Sequence, residues 1–179
     1  DEAFHFYYED NLEILESKGA ELVRFSPVND KKLPADINGI YIGGGFPELF
    51  GDKLELNESM RLSIHKAAME GLVVYAECGG MMYLLDKLVN CEGDSFEMCG
   101  VFPAISRREK RRQGLGYIIV NSKDDNIICK KGETFKAHEF HWSSIITNNN
   151  DLSFAYGVSK GDNSTIKFDG FSNKNVLAS

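Results

Sequence analysis

Two short apolar segments of this chain run directly into clusters of glycine. INGIYI (37–42) leads to three glycines (43–45), and LVVYA (72–76) leads to ECGG (77–80). The residues between the two segments, 57–71, predict a helix. A strand, a helix and a second apolar strand form the unit of a parallel sheet whose two faces are both covered. Both glycine clusters then lie beyond the carboxyl ends of neighbouring strands, where such sheets place their sites.

The predicted helix at 57–71 carries start, face and stop signals. Asn57 is placed as its N-cap and Gly71 as its end. Met60, Ile64 and one of the alanines that follow are spaced to form one apolar stripe. These signals predict an amphipathic helix packed on the sheet.

The N-terminal part predicts another helix followed by a strand. Asp10 is expected to be the N-cap, Glu13 completes a capping box, and Gly19 ends the helix. ELVRF (21–25) then predicts a strand. Together with the segments above, this alternation predicts an α/β fold with a doubly wound, mostly parallel sheet.

The second half of the chain predicts strands and few helices. The apolar and β-branched runs are 114–122, 133–145 and 152–158, and 147–151 is a polar turn. We expect these runs to add antiparallel strands at one edge of the sheet. Residues 1–179 show no repeat and no linker, so we predict a single domain.

Composition restricts the partners of the chain. Among 179 residues the formal net charge is −7, which argues against nucleic acid and against an anionic membrane as partners. No apolar run approaches ~18 residues, and the first residues lack the pattern of a signal peptide, so we expect a soluble, cytoplasmic protein. The four cysteines contain no C-x-x-C pair, and His138 and His141 face opposite sides of a strand, so no metal site is expected.

Cys78 has the neighbours that a nucleophile on a sharp strand-to-helix turn requires. Gly79 and Gly80 leave room for the strained backbone, and a helix opening at Gly79 is expected to lower the pKa of the thiol. The amide of Gly79 is placed to bind an oxyanion, with a second donor from the turn at 43–45. The alternatives are a small buried cysteine and an ordinary glycine turn. Neither a P-loop nor a G-x-G-x-x-G motif is present.

Six segments resemble, in order, the glutamine amidotransferase domain of the cobyrinic acid a,c-diamide synthase family. They are FYYEDNLEILESKGAELVRFSPVND, GIYIGGGFPE, VYAECGGMMYL, GLGY, HEFHWS and NVLAS. The resemblance implies a flavodoxin-like, class I glutaminase fold fused behind an ATP-dependent synthetase domain. It also implies that the whole enzyme amidates the a and c carboxylates of a corrinoid. ATP and magnesium would bind that synthetase domain, and this domain would need no cofactor of its own.

The resemblance assigns roles to individual residues. It makes Cys78 the nucleophile that forms a γ-glutamyl thioester, and it makes Gly79, Gly43 and Gly44 the oxyanion positions. The family's catalytic base lies in a histidine-containing segment directly after the strand NVLAS, so the chain is expected to be a fragment that ends before it. His141, with Ser143 in place of an orienting glutamate, is the alternative base.

Further residues have two interpretations each. Glu48 and Glu77 are candidates to bind the α-amino group of glutamine, although Glu77 is also read as a strand-end carboxylate held by the backbone. His138 is a candidate near the site, or one polar side chain of a half-exposed strand. The basic run 107–112 is either a solvated loop or a contact for the synthetase domain or the corrinoid.

Other functions remain open at this point. Nickel-sirohydrochlorin a,c-diamide synthase uses the same domain chemistry on another tetrapyrrole acid, and cobyric acid synthase fits the segment HEFHWS less well. A non-catalytic interaction module and a different thiol hydrolase are alternatives from other classes.

Overall fold

A computed structural model describes residues 1–147, 152–160 and 167–179 of the chain. The helices are α1 (Glu9–Ser17), α2 (Gly51–Leu56), α3 (Glu58–Met69) and α4 (Gly79–Leu84), with a 3₁₀ turn at Pro47–Leu49. The strands are β1 (Gly39–Ile42), β2 (Val73–Ala76), β3 (Leu85–Val89), β4 (Ser95–Glu97), β5 (Phe102–Arg108), β6 (Gly114–Ser122), β7 (Thr134–His141), β8 (Ser143–Ile146), β9 (Phe154–Ser159), β10 (Lys167–Asn173) and β11 (Val176–Ala178).

The described strands form two sheets. One has seven strands in the order β1-β2-β11-β10-β9-β6-β7, and the other has four in the order β4-β3-β5-β8. β2 pairs in parallel with both β1 and β11, while β11, β10, β9, β6 and β7 follow one another in antiparallel pairs. The predicted α/β class with a parallel sheet and added antiparallel strands is confirmed. The antiparallel part is larger than a few edge strands, because four of the six neighbouring pairs in the seven-stranded sheet are antiparallel. The second sheet has two antiparallel pairs, β3–β4 and β5–β8, on either side of the parallel pair β3–β5.

Helix α3 packs on the sheet through its predicted stripe. Met60, Ile64 and Ala68 are buried in the main hydrophobic core. Asn57 stands at the N-cap position, but its side chain donates hydrogen bonds to the backbone carbonyls of Pro27 (2.8 Å) and Asp30 (2.7 Å). The prediction of a side-chain cap was wrong, because these two bonds orient the amide group, and its Oδ1 accepts from the hydroxyl of Ser59 at 3.3 Å instead of from a backbone amide of the helix.

Helix α1 begins one residue before the predicted cap. Tyr8 is at its N-cap with no side-chain hydrogen bond, so the capping box of Asp10 and Glu13 is not formed. The amides of Asn11 and Leu12 are instead bonded to the carbonyl of Tyr8. The predicted stop is correct, since Gly19 follows the helix with φ of 93°.

The predicted strand at 21–25 does not form. No part of the described structure pairs with this segment, and Leu22 and Val23 are exposed. A single extended segment without a ladder partner gains little from its β propensity, so it stays irregular.

The later strands were predicted more closely. β6 matches 114–122, and the run 133–145 is split at Trp142 into β7 and β8. The predicted turn at 147–151 falls outside the described residues except for Thr147. No described helix is both long enough and apolar enough to cross a membrane.

Candidate active site

Cys78 occupies a strained turn between β2 and α4. Its φ of 50° and ψ of −107° lie in a region that residues with a Cβ rarely adopt. Backbone hydrogen bonds hold the turn from both sides: the amide of Cys78 donates to the carbonyl of Ser179 at 2.7 Å, and the amide of Glu77 donates to the carbonyl of Ile42 at 2.9 Å. Neighbouring strands on each side of β2 therefore fix the position of the thiol.

The glycines of the two clusters allow their turns to touch. A Cβ on Gly80 would collide with the carbonyl of Ile42, and a Cβ on Gly79 would lie 3.0 Å from the amide nitrogen of Gly45. The amide of Gly80 donates to the carbonyl of Gly43 at 3.1 Å. The structure thus brings together the two clusters that the sequence places at neighbouring strand ends.

Two backbone amides point at the thiol of Cys78. They belong to Gly79 and Gly45. The amide of Gly44 instead donates to the carbonyl of Phe6 at 3.0 Å, and the amide of Gly43 donates to the hydroxyl of Tyr7. Within the turn at 43–45, Gly45 is the residue placed to bind an oxyanion together with Gly79.

The environment of Cys78 disfavours its thiolate. The residue is exposed, yet the protein around the thiol raises its pKa above the ordinary value. Burial of the thiol group is the largest cause of the raised pKa. The carboxylates of Glu48 and Glu77 raise this pKa further, while the two amides lower it. The expected lowering by the start of α4 is present in the amide of Gly79, but the expected net lowering was wrong, because burial and the two carboxylates outweigh it.

Glu48 is a buried carboxylate beside the thiol. It lies in the 3₁₀ turn that follows the first glycine cluster, and its side chain is 7% exposed. Its oxygen lies 3.4 Å from the guanidinium nitrogen Nε of Arg108 in β5. Burial raises the pKa of Glu48, and the attraction of Arg108 only partly compensates.

Glu77 is held by two tyrosines. The hydroxyls of Tyr41 and Tyr75 each donate to one of its carboxylate oxygens at 2.6 Å. The rings are stacked, with centroids 5.4 Å apart, because they stand opposite each other in the parallel pair β1–β2. Burial, and then Glu77, raises the pKa of both hydroxyls, so both remain donors. Glu77 is thus a strand-end carboxylate, but side chains hold it and not the backbone.

Comparison with known protein families identifies the family of the chain that carries this site. The sequence profile of the CobB/CobQ-like glutamine amidotransferase domain matches residues 1–179. The chain belongs to this family. The resemblance inferred from the sequence is therefore confirmed.

Relatives of this amidotransferase domain are longer proteins. The cobyrinate a,c-diamide synthases of Methanothermobacter thermautotrophicus and Caldanaerobacter subterraneus are 43% and 45% identical to it over the whole chain. The chain covers only 38% and 39% of their lengths.

Solved structures support the fold of the amidotransferase domain. A glutamine amidotransferase superposes with a TM-score of 0.66 over 96% of this chain and 82% of its own, at 18% identity. PurLQS from Thermotoga maritima gives 0.66 over 94% and 78%, at 16% identity. At these identities the likeness concerns the fold alone.

The histidines of the amidotransferase domain do not reach the thiol within the described ranges. His141 donates from Nδ1 to the carbonyl of Ser143 at 2.9 Å and packs against Gly114. The ring of His138 lies edge-on to Tyr117, with centroids 5.6 Å apart. In the described part of the chain neither ring is hydrogen-bonded to Cys78.

Sequence reasoning missed two parts of the site. One is the pair of tyrosines that bind Glu77. The alternation of β1 and β2 could have revealed it, since Tyr41 lies two residues before Gly43 and Tyr75 lies two residues before Glu77, at equivalent positions of the two strands. The other is the contact of Arg108 with Glu48. No local pattern indicates that contact, because it joins segments that are far apart in the sequence.

Proposed function

We propose that this domain hydrolyses glutamine at Cys78 to supply ammonia. The sulfur attacks the side-chain carbonyl of glutamine, and the amides of Gly79 and Gly45 stabilise the negative charge that develops on the oxygen. The C–N bond breaks, ammonia leaves, and a γ-glutamyl thioester remains. Water then attacks the thioester and releases glutamate and the thiol. The observation that carries this proposal is the strained Cys78 with two amides directed at its sulfur.

A base must take the proton of the Cys78 thiol, since its pKa is raised. We assign this role to a histidine in the segment that follows Ser179 in the longer protein. The carbonyl of Ser179 accepts the amide hydrogen of Cys78, so a chain continuing from β11 starts beside the nucleophile. The same histidine then gives this proton to the amide nitrogen as the C–N bond breaks, so that ammonia leaves. His141 is the less favoured base, because no hydrogen bond joins its ring to Cys78 in the described part of the chain.

Glu48 is our choice for binding the α-ammonium group of glutamine. It is a carboxylate close enough to Cys78 to affect its pKa, and burial keeps competing water away. Glu77 is less suitable, because both of its oxygens already accept tyrosine hydroxyls. His138 stays a candidate for contact with substrate from β7.

In the whole protein we expect the ammonia to pass to an ATP-dependent synthetase domain. That domain would bind ATP and magnesium and activate the a and c side-chain carboxylates of cobyrinate for amidation. The relatives named cobyrinate a,c-diamide synthase, and the share of their length that lies outside this match, support this proposal. Nickel-sirohydrochlorin is the alternative acceptor.

The test is a glutaminase assay on the full-length protein with ATP and a panel of tetrapyrrole acids. Cys78→Ser should abolish glutamate release, while Cys91→Ser, which changes another exposed cysteine, should not. Faster release with one acceptor would identify it. If the wild-type protein hydrolyses no glutamine under any condition, the domain is an interaction module and the proposal fails.

A further inference from the structure

Two sequence features without a role in the proposed reaction meet in the structure. They are the basic run 107–112 and the segment HEFHWS (138–143). The guanidinium of Arg108 lies over the ring of Trp142, 4.8 Å from its centroid. From there its Nε reaches the carboxylate of Glu48 at 3.4 Å. A chain of contacts therefore leads from Trp142 to the residue beside the nucleophile.

The Arg108–Glu48 pair differs in burial from the other ion pairs of the described chain. The side chains of Arg108 and Glu48 are 22% and 7% exposed, whereas each of the other pairs has at least one side chain more than half exposed. Removing one member of a buried pair leaves the other charge without compensation, so such a pair matters more than a surface pair.

Hydrogen bonds fix the backbone around Arg108 to Trp142 and to β8, the strand that follows it. The amide of Glu109 donates to the carbonyl of Trp142 at 2.8 Å, and the hydroxyl of Ser144 donates to the carboxylate of Glu109 at 2.6 Å. Arg108 is paired with Ser143 in the β5–β8 ladder. The guanidinium is thus held between an aromatic ring and a rigid strand pair, in a position set before any substrate arrives.

We propose that Arg108, supported by Trp142, is a positioning residue that keeps Glu48 ionised and aimed at the α-ammonium group of glutamine beside Cys78. This inference rests on the proposed glutaminase function and on the role assigned there to Glu48. Arg108 itself touches neither the substrate nor the thiol. It acts through Glu48, because a carboxylate buried without a cation takes up a proton and then no longer attracts an ammonium group.

The charges around Glu48 give the sign of the effect. Arg108 is the cation that lowers its pKa, burial raises it, and the Cys78 thiol is the titratable group that responds to it. Loss of Arg108 raises the pKa of Glu48 further, so its carboxylate form disappears at a higher pH. Glutamine binding should therefore weaken as the pH falls, and should weaken earlier than in the wild-type protein.

The experiment measures kcat and KM for glutamine between pH 5.5 and 8.5 with the full-length protein. Arg108→Gln should raise KM about tenfold at the acidic end, by loss of a charged contact, with a much smaller change in kcat. The rise should shift to higher pH than in the wild type. Arg108→Lys should restore part of the affinity, and Arg112→Gln, an exposed position in the same run, should behave as wild type.

A double-mutant cycle separates positioning from general damage. In a Glu48→Gln background, Arg108→Gln should have almost no further effect on KM. An equal rise in KM in both backgrounds, or a rise that is the same at every pH, would overturn the inference.

A second readout does not need turnover. When the rate of Cys78 alkylation by iodoacetamide is measured as a function of pH, it should show a step in the pH range where Glu48 titrates. Arg108→Gln should move this step to higher pH, and Glu48→Gln should remove it. If wild type fails to hydrolyse glutamine but the step moves as described, the glutaminase proposal fails while the control of Glu48 by Arg108 stands. A step that Arg108→Gln leaves in place refutes that control.

Discussion

Glu48 and Glu77 both raise the pKa of the Cys78 thiol. A nearby carboxylate disfavours the thiolate, so replacing Glu48 by the neutral amide in Glu48→Gln should lower this pKa. At any pH below the thiol pKa, the thiolate fraction then increases. We expect alkylation of Cys78 near neutral pH to be about threefold faster in this variant. The rate of iodoacetamide labelling of Cys78, followed by mass spectrometry between pH 6 and 9, measures it.

A matched control exists on the second sheet. Glu97→Gln removes an exposed carboxylate that is paired with Lys87 at 2.8 Å and does not act on the thiol. It should leave the labelling profile unchanged. If Glu48→Gln also leaves it unchanged, the carboxylate does not act on the nucleophile.

Gly80 is required for space and not for backbone freedom. A Cβ there would collide with the carbonyl of Ile42, which is rigid because it belongs to β1. Gly80→Ala should therefore displace the turn, lower stability by about 1–3 kcal/mol and abolish most glutamine hydrolysis. Thermal unfolding and the glutaminase assay measure the two effects.

Gly39→Ala is the control for Gly80→Ala. A Cβ at Gly39 meets β2 at no less than 3.4 Å, an ordinary contact. This variant should keep both stability and activity. Comparable losses in both variants would show that any methyl group added to a glycine against these strands is harmful, and would remove the special role of Gly80.

At the scale of elements, helix α3 stabilises the fold through one face. Ile64 is fully buried, whereas Leu62 on the same helix is 59% exposed. Ile64→Ala should cost about 2–5 kcal/mol, because it removes buried methyl groups and leaves a cavity. Leu62→Ala should cost less than about 0.5 kcal/mol. Urea unfolding of both variants tests the difference, and equal costs would contradict the packing of α3.

Elements with a clear period were predictable, and Gly19 and Gly71 marked two helix ends correctly, but the N-terminal caps were not predictable. The apolar spacing of α3 and the apolar run of β2 identified both elements, because burial of one helix face or a whole strand leaves a regular pattern. The caps failed because Asn57 serves two distant carbonyls, which no local window contains. The segment 21–25 failed because a strand also requires a neighbour, and sequence pattern reports only propensity.

The candidate site was likewise predictable only in part. Two glycine clusters at neighbouring strand ends predicted that Cys78 and the turn at 43–45 would meet, because parallel strands place their carboxyl ends at one edge. The choice of Gly45 within the turn depends on which amides Phe6 and Tyr7 already engage. The pKa of Cys78 depends on burial and on two carboxylates, and a motif contains neither quantity.

At the scale of the whole molecule, the basic run stands out against an acidic chain. The chain has a formal net charge of −7, yet Arg107, Lys110 and Arg111 line one side of a cleft of about 540 Å³. The turn after β3, with Glu92, lines the other side. None of these three cations forms an ion pair in the described ranges. Under the proposed function, this cleft is a candidate contact for an anionic surface of the proposed synthetase domain or for the carboxylates of the proposed acceptor.

Under the proposed function, charge reversal in this cleft should weaken the coupling between glutamine hydrolysis and the proposed synthetase reaction. In the full-length protein, Lys110→Glu combined with Arg111→Glu should reduce the stimulation of glutamine hydrolysis by ATP and acceptor about tenfold or more, because two attractions become repulsions. Stimulation of the wild type should weaken with added salt, since exposed charges are screened. Lys66→Glu, which reverses an exposed charge on α3, should retain full stimulation. Undiminished stimulation in the double variant would mean that the exposed residues 110–112 are a solvated loop and that coupling reaches Cys78 by another surface.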